Sequence, residues 1–220
     1  QCAIEHVPPA CSPMPKQNWL TAQGLAFHRF AHAYGIACRE RGLSTMPHLA
    51  TEMAVGFATI EGRVRHNLME MMVGFAHTWE YPATEEDGAD KAIPLTSGSF
   101  EQAEQIKMAS ASGEFFYSFH PDYAHLRGED LIVCDWKSGL AADDYSPERP
   151  DPQLMRYAFA YSRMYHPRRV KLEKWWVNPE NPAYGESPFV WTRDLKEKPI
   201  DSSIITGPVE GIRRSPEFRP

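Results

Sequence analysis

The sequence predicts a mixed fold of the α/β or α+β class, in which helices pack on a β-sheet. Residues 19–41 and 53–79 carry apolar side chains at the spacing of amphipathic helices. Residues 114–119 and 131–134 are short aromatic and apolar runs typical of strands, and residues 170–177 alternate between apolar and polar side chains. A further helix is expected between the last two of these strands, so the order predicts a sheet covered by helices.

The helical regions have recognisable ends and apolar faces. The first stops at Gly42, a residue type that readily takes the left-handed conformation found after helices. The second reads as one long helix or two, and its methionine cluster at residues 69–72 is predicted to pack in the core. The further helix is predicted to run from residue 151 to residue 165, because Asp151 can cap its first turn and Pro152 suits its first position.

The remaining segments differ in composition from this body. Residues 1–16 are proline-rich and predict an extended arm, while residues 81–98 lie in an acidic stretch that predicts a loop. Residues 196–220 are rich in proline, glycine and charge, which predicts a tail or an arm wrapped over the body. Residues 17–195 are then predicted to form a single domain, and a chain of 220 residues can bury a sizeable core.

Composition argues against several classes of protein. The 42% hydrophobic fraction is ordinary for a globular protein, and we find neither an apolar run of membrane-spanning length nor a signal segment. We therefore expect a soluble, cytoplasmic protein with no membrane partner. The four cysteines form no C-x-x-C pair, which argues against zinc and iron–sulfur sites. Reduced thiols are expected, with a disulfide open only to Cys2 and Cys11.

Two aspartates and a lysine in the middle of the chain carry the clearest chemical signal. Asp135 and Lys137 are two residues apart at the end of an apolar strand, so an extended chain projects both to one face and turns Trp136 to the other. Asp122 lies a short distance upstream. Two hard carboxylate ligands and a cation beside the phosphate are what a metal-dependent phosphodiesterase needs.

A hairpin would bring the two aspartates together. We expect Asp122 to close the strand at residues 114–119, and the chain to return through residues 125–130 with Gly128 as the turn residue. The alternative is that Asp135 and Lys137 form an ordinary surface ion pair at a strand end.

Four motifs in this chain resemble those of the PD-(D/E)xK nuclease superfamily, and within it the RecB-like branch. Pro121-Asp122 and Asp135-Trp136-Lys137-Ser138-Gly139 match its two core motifs. Gln153-Leu-Met-Arg-Tyr157 is similar to its Q-x-x-x-Y helix motif, and Gly24-Leu-Ala-Phe-His28 to its G-x-x-x-H motif. The resemblance implies a restriction-endonuclease-like core, a central mixed β-sheet flanked by helices, and makes the predicted domain a nuclease domain.

The resemblance also implies catalytic and metal-binding roles. Asp122 and Asp135 are expected to bind Mg²⁺ or Mn²⁺, with the Trp136 backbone carbonyl and the His28 imidazole as further ligands. Lys137 is expected to orient the attacking water or to neutralise charge in the transition state. Metal binding lowers the pKa of water from about 16 toward neutral values, so no serine or cysteine nucleophile is needed.

Several assignments remain open on sequence alone. Gln153 and Tyr157 are four apart on one helix face and are expected to bind substrate phosphate or to fix the lysine strand; otherwise they are a capping-region amide and a core aromatic. His32 follows His28 by one turn and is an alternative ligand. Glu52 and Glu61 are further candidate carboxylates.

The charge distribution bears on the partner. The net charge is −6, but seven acids lie between residues 80 and 104, against a single lysine. Five bases lie within residues 163–174: Arg163, Arg168, Arg169, Lys171 and Lys174. Because this basic run follows the Gln153 helix, we expect it to lie near the site, with Arg163, Arg168 and Arg169 contacting DNA. The alternative is a solvated helix end followed by an ordinary strand.

The expected function is therefore a Mg²⁺- or Mn²⁺-dependent DNA nuclease, and by resemblance to the RecB-like branch an exonuclease of repair or recombination. Its partner would be single-stranded DNA or DNA ends, in a bacterial or phage-infected cell, and a protein partner or oligomer stays open. No G-x-x-x-x-G-K-[ST] loop is present, which argues against a built-in motor. The alternatives are an RNA endonuclease of the cap-snatching type and a catalytically inactive module that binds nucleic acid.

Overall fold

The structure, a computed structural model, describes residues 16–43, 45–58, 63–81, 92–94, 104–110, 113–139, 150–181, 184 and 189–206. Its helices are α1 (Lys16–Glu40), α2 (Pro47–Phe57), α3 (Arg63–Thr78) and α4 (Pro152–Tyr165). Its strands are β1 (Ala92–Pro94), β2 (Glu104–Ser110), β3 (Gly113–Phe119), β4 (Tyr123–Arg127), β5 (Asp130–Lys137), β6 (Arg169–Trp176) and β7 (Phe189–Asp194). The predicted combination of a sheet with flanking helices is confirmed.

The main sheet is mixed, with the strand order β1-β4-β5-β6-β7. Strands β5 and β6 are parallel and are joined through α4, whereas the other neighbouring strands are antiparallel. Strand β1 has only three residues, so the body of the sheet consists of the four strands β4 to β7. Strands β2 and β3 form a separate antiparallel ribbon.

Both faces of the sheet are covered, which explains why strand β5 is apolar on both sides. On one face, Cys134 and Trp136 belong to an apolar cluster built with residues of α1, α2 and α3. On the other face, Leu131 and Val133 pack in a cluster with residues of α4 and the β2–β3 ribbon. Neighbouring residues of β5 therefore pack on opposite faces of the sheet. The charged residues Asp135 and Lys137 lie at the end of this strand.

The predicted hairpin exists, but its first strand was assigned to the wrong residues. Strand β3 pairs with β2, and the partner of β5 is β4, which begins directly after Asp122. Gly128 occupies the turn with a positive φ of 58°, as predicted, whereas His125 lies within β4 and not in the loop. The first three residues of β4 are all buried, so this strand lacks the polar and apolar alternation that would have revealed it.

Other expectations have mixed outcomes. The second helical region is two helices, and the methionine cluster packs in the core, since Met71 and Met72 are fully buried. Strand β1 lies inside the segment predicted to be a loop, and the sequence did not predict β2 or β7. The predicted N-terminal arm lies outside the described residues, except Lys16, which begins α1.

The start of the predicted tail packs against the body. Ile205 is buried in the cluster beside α4, and Ile200 and Ile204 pack against the same cluster. Residues 207–220 lie outside the described part of the chain. Within the described ranges, no helix combines the length and the apolar character needed to cross a membrane.

Candidate active site

Asp122 and Asp135 meet because of the register of the β4–β5 hairpin. Tyr123 pairs with Cys134, so the next residues outward, Asp122 and Asp135, lie across from each other. The charge of Asp122 acts on Asp135 and helps to raise the pKa of the Asp135 carboxyl, behind the larger effect of burial. The tight turn at Gly128 thus places both carboxylates at one end of the sheet, which we call the site end.

The Asp122 carboxylate bridges two parts of the chain that are distant in sequence. Its Oδ2 accepts a hydrogen bond of 2.7 Å from the backbone N–H of Trp136. Its Oδ1 lies 3.2 Å from Nδ1 of His28, on α1. Asp122 therefore contacts the end of β5, between Asp135 and Lys137, and also the histidine of the G-x-x-x-H motif.

Close packing of α1 against the end of β5 brings His28 to this point. A Cβ atom at Gly24 would lie 2.8 Å from the Ser138 hydroxyl oxygen, so the helix approaches the strand end at a position without a side chain. One turn later, the His28 ring stacks on the indole of Trp136, with 6.4 Å between ring centres. The glycine and the histidine of this motif thus have separate physical roles, close approach and contact with Asp122.

Trp136 anchors the site end in the core. Its ring makes edge-on contacts with the rings of Phe27, Phe75 and Trp79, and it is 3% exposed. The predicted opposite orientation of Trp136 and its neighbours is confirmed: Asp135 and Lys137 project together, with 2.8 Å between Asp135 Oδ2 and Lys137 Nζ. The aromatic cluster fixes the backbone from which both charged side chains extend.

Burial dominates the electrostatics of these groups. Burial and then the Asp122 charge raise the pKa of Asp135, although Lys137 opposes the shift. Burial alone would lower the pKa of His28, but Asp122 and Asp135 outweigh it, so the net shift is upward. The pKa of Lys137 is also raised, because Asp135 and other nearby carboxylates outweigh its desolvation. The site end therefore favours added positive charge.

Two buried polar atoms at the site end have a charged group as their neighbour. His28 Nδ1 lies 3.2 Å from Asp122 Oδ1, and Asp135 Oδ2 lies 2.8 Å from Lys137 Nζ. Carboxylate oxygens are suitable ligands for Mg²⁺ and Mn²⁺, and an imidazole nitrogen suits Mn²⁺ better than Mg²⁺, so the chemistry of these residues fits the predicted ion. Among the described residues, no group of three or more His, Cys, Asp or Glu side chains is already arranged to hold a metal. The ligand roles of Asp122, Asp135, His28 and the Trp136 carbonyl remain predictions.

The Q-x-x-x-Y residues lie at the start of α4. The Gln153 side-chain amide donates a hydrogen bond of 2.6 Å to the Tyr157 hydroxyl, which confirms that they share a helix face. Burial raises the pKa of Tyr157, and the charges of Asp122 and Asp135 raise it further. The Tyr157 hydroxyl is therefore within electrostatic reach of both carboxylates, and residues from all four motifs come to the same end of the sheet.

No protein-family model matches this chain, and searches of curated proteins and of solved structures found no match. The resemblance to RecB-like nucleases thus depends on the motif residues and their arrangement. Residues outside the four motifs also lie at the site end.

Asp151 and Lys174 are charged residues of the site end whose place there the sequence analysis missed. Asp151 caps α4, as predicted, and its Oδ2 lies 3.1 Å from Lys174 Nζ. Lys174 pairs with Asp135 in the parallel register of β5 and β6 and is only 2% exposed. A signal was present, because Val170, Leu172 and Lys174 alternate along β6 and so share its buried face.

Two buried asparagines hold the chain that follows Lys137. Asn178 donates a hydrogen bond of 2.9 Å to the Ser138 carbonyl, and Asn181 donates one of 2.9 Å to the Gly139 carbonyl. Each of these asparagines precedes a proline. An Asn-Pro dipeptide predicts a turn, but it does not predict that the asparagine side chain is buried and bonded to another segment.

The structure divides the basic run, because Lys174 lies at the site end and the arginines lie away from it. Arg169 pairs with Asp130, at the end of β5 opposite Asp135, and Arg168 is its neighbour in the chain. We call this the far end of the sheet. Arg163 is in the last turn of α4, whose first turn is at the site end. The error in the expected position of the arginines came from following the chain order, since α4 returns the chain to the start of the parallel strand β6 before the run continues.

His32, the alternative ligand, stays an open prediction. Burial lowers its pKa, and the neighbouring charge of Arg39 lowers it further. The other histidine, His28, contacts Asp122 at the site end. Glu52 is exposed on α2, and Glu61 lies outside the described part of the chain.

Proposed function

We propose that this protein is a divalent-metal-dependent nuclease that hydrolyses phosphodiester bonds of DNA, acting on single strands or on ends. The observation that carries the proposal is the position of Asp122. Its carboxylate contacts His28 on one side and the Trp136 N–H on the other, and so links the first helix to the strand that carries Asp135 and Lys137. An ordinary surface ion pair between Asp135 and Lys137 would not explain this convergence, nor why Asp135 is 4% exposed.

Each side chain has a role that follows from its position. Asp122, Asp135 and His28 would hold Mg²⁺ or Mn²⁺, and the bound ion would supply Lewis acidity to the phosphate and to the attacking water. Lys137 Nζ would place its positive charge against the phosphate oxygens, where negative charge grows in the transition state. Gln153 and Tyr157 would donate hydrogen bonds to the neighbouring phosphate and hold the strand in place.

The direct test is a digest of labelled linear single-stranded DNA in Mg²⁺, Mn²⁺ or EDTA. We expect cleavage with either metal and none in EDTA. Asp135→Asn should abolish cleavage, because it removes a charge that the metal needs, whereas Asp130→Asn at the far end should retain it. No cleavage of DNA or RNA by the wild-type protein with either metal would refute the proposal. Oligonucleotide binding without cleavage would indicate the inactive module instead.

Circular, linear and RNA substrates distinguish the remaining alternatives for the type of nuclease. A circular single strand should resist cleavage if the enzyme needs an end, and a matched linear strand should be degraded. An RNA strand of the same sequence tests the cap-snatching alternative. Faster cleavage of RNA than of DNA, or cleavage inside the circle, would correct the substrate while leaving the phosphodiesterase chemistry in place.

A further inference from the structure

Lys174 is a buried cation that the proposed chemistry does not use. It is 2% exposed, and its Nζ lies 3.1 Å from Asp151 Oδ2 and 5.9 Å from the centre of the Trp176 ring. Removing an ammonium group from water is costly, and pairing with a carboxylate often does no more than offset the cost. The position of this pair therefore needs a reason other than stability.

Asp151 uses its two carboxylate oxygens for different purposes. Oδ1 accepts hydrogen bonds from the backbone N–H groups of Gln153, at 2.7 Å, and Leu154, at 3.4 Å. Oδ2 pairs with Lys174 on β6. The Asp151 side chain thereby connects the first turn of α4, which contains Gln153, to strand β6.

The pair also lies beside the reacting groups. Lys174 is opposite Asp135 in the register of β5 and β6, and the charge of Asp151 acts on both Asp135 and Lys137. Because both of its oxygens already have partners, Asp151 is suited to orienting its neighbours and not to holding a ligand. A shift of the first turn of α4 would move Gln153 and Tyr157 relative to Asp135.

We infer that Lys174 and Asp151 are positioning residues that hold the first turn of α4 against β6, so that Gln153 and Tyr157 face the substrate phosphate next to Asp135. The inference rests on the proposed function of that site. The alternative is that the pair contributes only to folding. The two differ in what they do to substrate binding by the folded protein.

The test compares Asp151→Asn, which breaks the pair between α4 and β6, with Asp130→Asn, which breaks a carboxylate pair between β5 and β6 at the far end. Asparagine still caps a helix, so Asp151→Asn removes the pairing charge and keeps the cap. We expect KM for a short single strand to rise about tenfold with kcat changed less than about threefold, as for the loss of contacts made in ground and transition states alike. Asp130→Asn should leave both constants unchanged. A purely structural role would reduce the folded fraction, lowering apparent kcat and leaving KM constant.

Two further variants exclude indirect effects. Replacing both members, as Asp151→Asn with Lys174→Met, removes the ion pair as a whole and should lose less resistance to urea than Lys174→Met alone. We expect KM to stay high in that double variant. In a Gln153→Ala, Tyr157→Phe background, Lys174→Met should change KM less than twofold, because the groups it positions are gone. Recovery of KM in the first case, or a further rise in the second, would overturn the inference.

A readout independent of cleavage separates this inference from the proposed function. We expect amide hydrogen exchange at Gln153 and Leu154 to be faster in Lys174→Met than in the wild type, and unchanged in Asp130→Asn. If the wild-type protein cleaves nothing, the proposed function fails and this result still decides whether the pair holds the helix. Unchanged exchange in Lys174→Met would overturn the positioning role by itself.

Discussion

The two ends of the β5–β6 strand pair carry the same kinds of side chain in different surroundings. At the site end, Asp135 and Lys137 lie 2.8 Å apart, and the carboxylate is buried. At the far end, Arg169 donates two hydrogen bonds, of 2.7 and 2.8 Å, to Asp130, and the arginine is exposed. The exposed pair is held by two hydrogen bonds, whereas the buried pair has a single close contact between Asp135 Oδ2 and Lys137 Nζ.

The two ends therefore differ in burial and not in charge composition. Exposed ion pairs contribute little, because water screens them and their side chains lose conformational freedom. A buried carboxylate beside another carboxylate is held in an unfavourable charged state, and a bound cation can relieve it. Asp135 is in that situation, since both burial and Asp122 raise its pKa.

The largest expected effect concerns Lys137, the cation that we propose to act in catalysis. Lys137→Ala should lower the cleavage rate about a hundredfold to a thousandfold, the usual loss for one preorganised charge in the transition state. Mn²⁺ affinity, measured by calorimetry, should change little, because the ammonium does not bind the metal. The matched control is Lys107→Ala, which breaks an exposed pair with Glu114 in the β2–β3 ribbon. Equal rates for the wild type and a folded Lys137→Ala variant would remove Lys137 from the mechanism.

A smaller effect concerns stability and should differ between the two ends. The folded pKa of Asp135 lies above its unfolded value, so its favourable contribution is complete at low pH and is lost as pH rises through the folded pKa. Asp135→Asn should therefore stabilise the metal-free protein at pH 8 by about 1 to 2 kcal/mol and by much less at pH 4.

Urea unfolding in EDTA at the two pH values measures this difference. Asp130→Asn, which removes a solvated and well-bonded carboxylate, should lower stability slightly or leave it unchanged at both. If both substitutions destabilise the protein equally at pH 8, the two ends do not differ as described.

The smallest expected effect concerns the far-end arginines. Because Arg168 and Arg169 lie away from the site end and pair with Asp194 and Asp130, reversing both to Glu should not change the salt dependence of binding to a four-nucleotide strand. Reversing Arg29, which is exposed on α1 next to His28, should flatten the log–log slope by about 0.7 for a lost single-strand phosphate contact. Affinities measured in Ca²⁺ at several salt concentrations decide the matter. A flatter slope in the variant with Arg168 and Arg169 reversed would indicate that the substrate contacts the far end.

Periodicity in the sequence correctly predicted the elements whose two faces differ. The alternation around Trp136 correctly placed Asp135 and Lys137 on one face, and the Asp151-Pro152 signal correctly placed the start of α4. Strand β4 was missed because its first three residues are buried on both faces and so carry no alternation. Local pattern also says nothing about which end of a sheet a residue reaches.

Lys174 and Arg169 illustrate that last point. They belong to one basic run, yet β6 buries the first at the site end and exposes the second at the far end. The distinction depends on the crossover through α4 and on which strand β6 pairs with. The sequence of the basic run predicts neither of these. The contact between His28 and Asp122 is likewise set by tertiary packing, although the motifs named both residues.

The burial of Cys134 gives the site end a chemical reporter. Its thiol is fully buried directly before Asp135, it donates to Glu173 Oε2 at 3.7 Å, and burial raises its pKa. A thiol held protonated and out of solvent reacts with iodoacetamide only when the surrounding structure opens. In a variant with the other three cysteines replaced, the rate of alkylation would therefore measure how often strand β5 separates from its neighbours, and metal or DNA bound at the adjacent carboxylates would slow it.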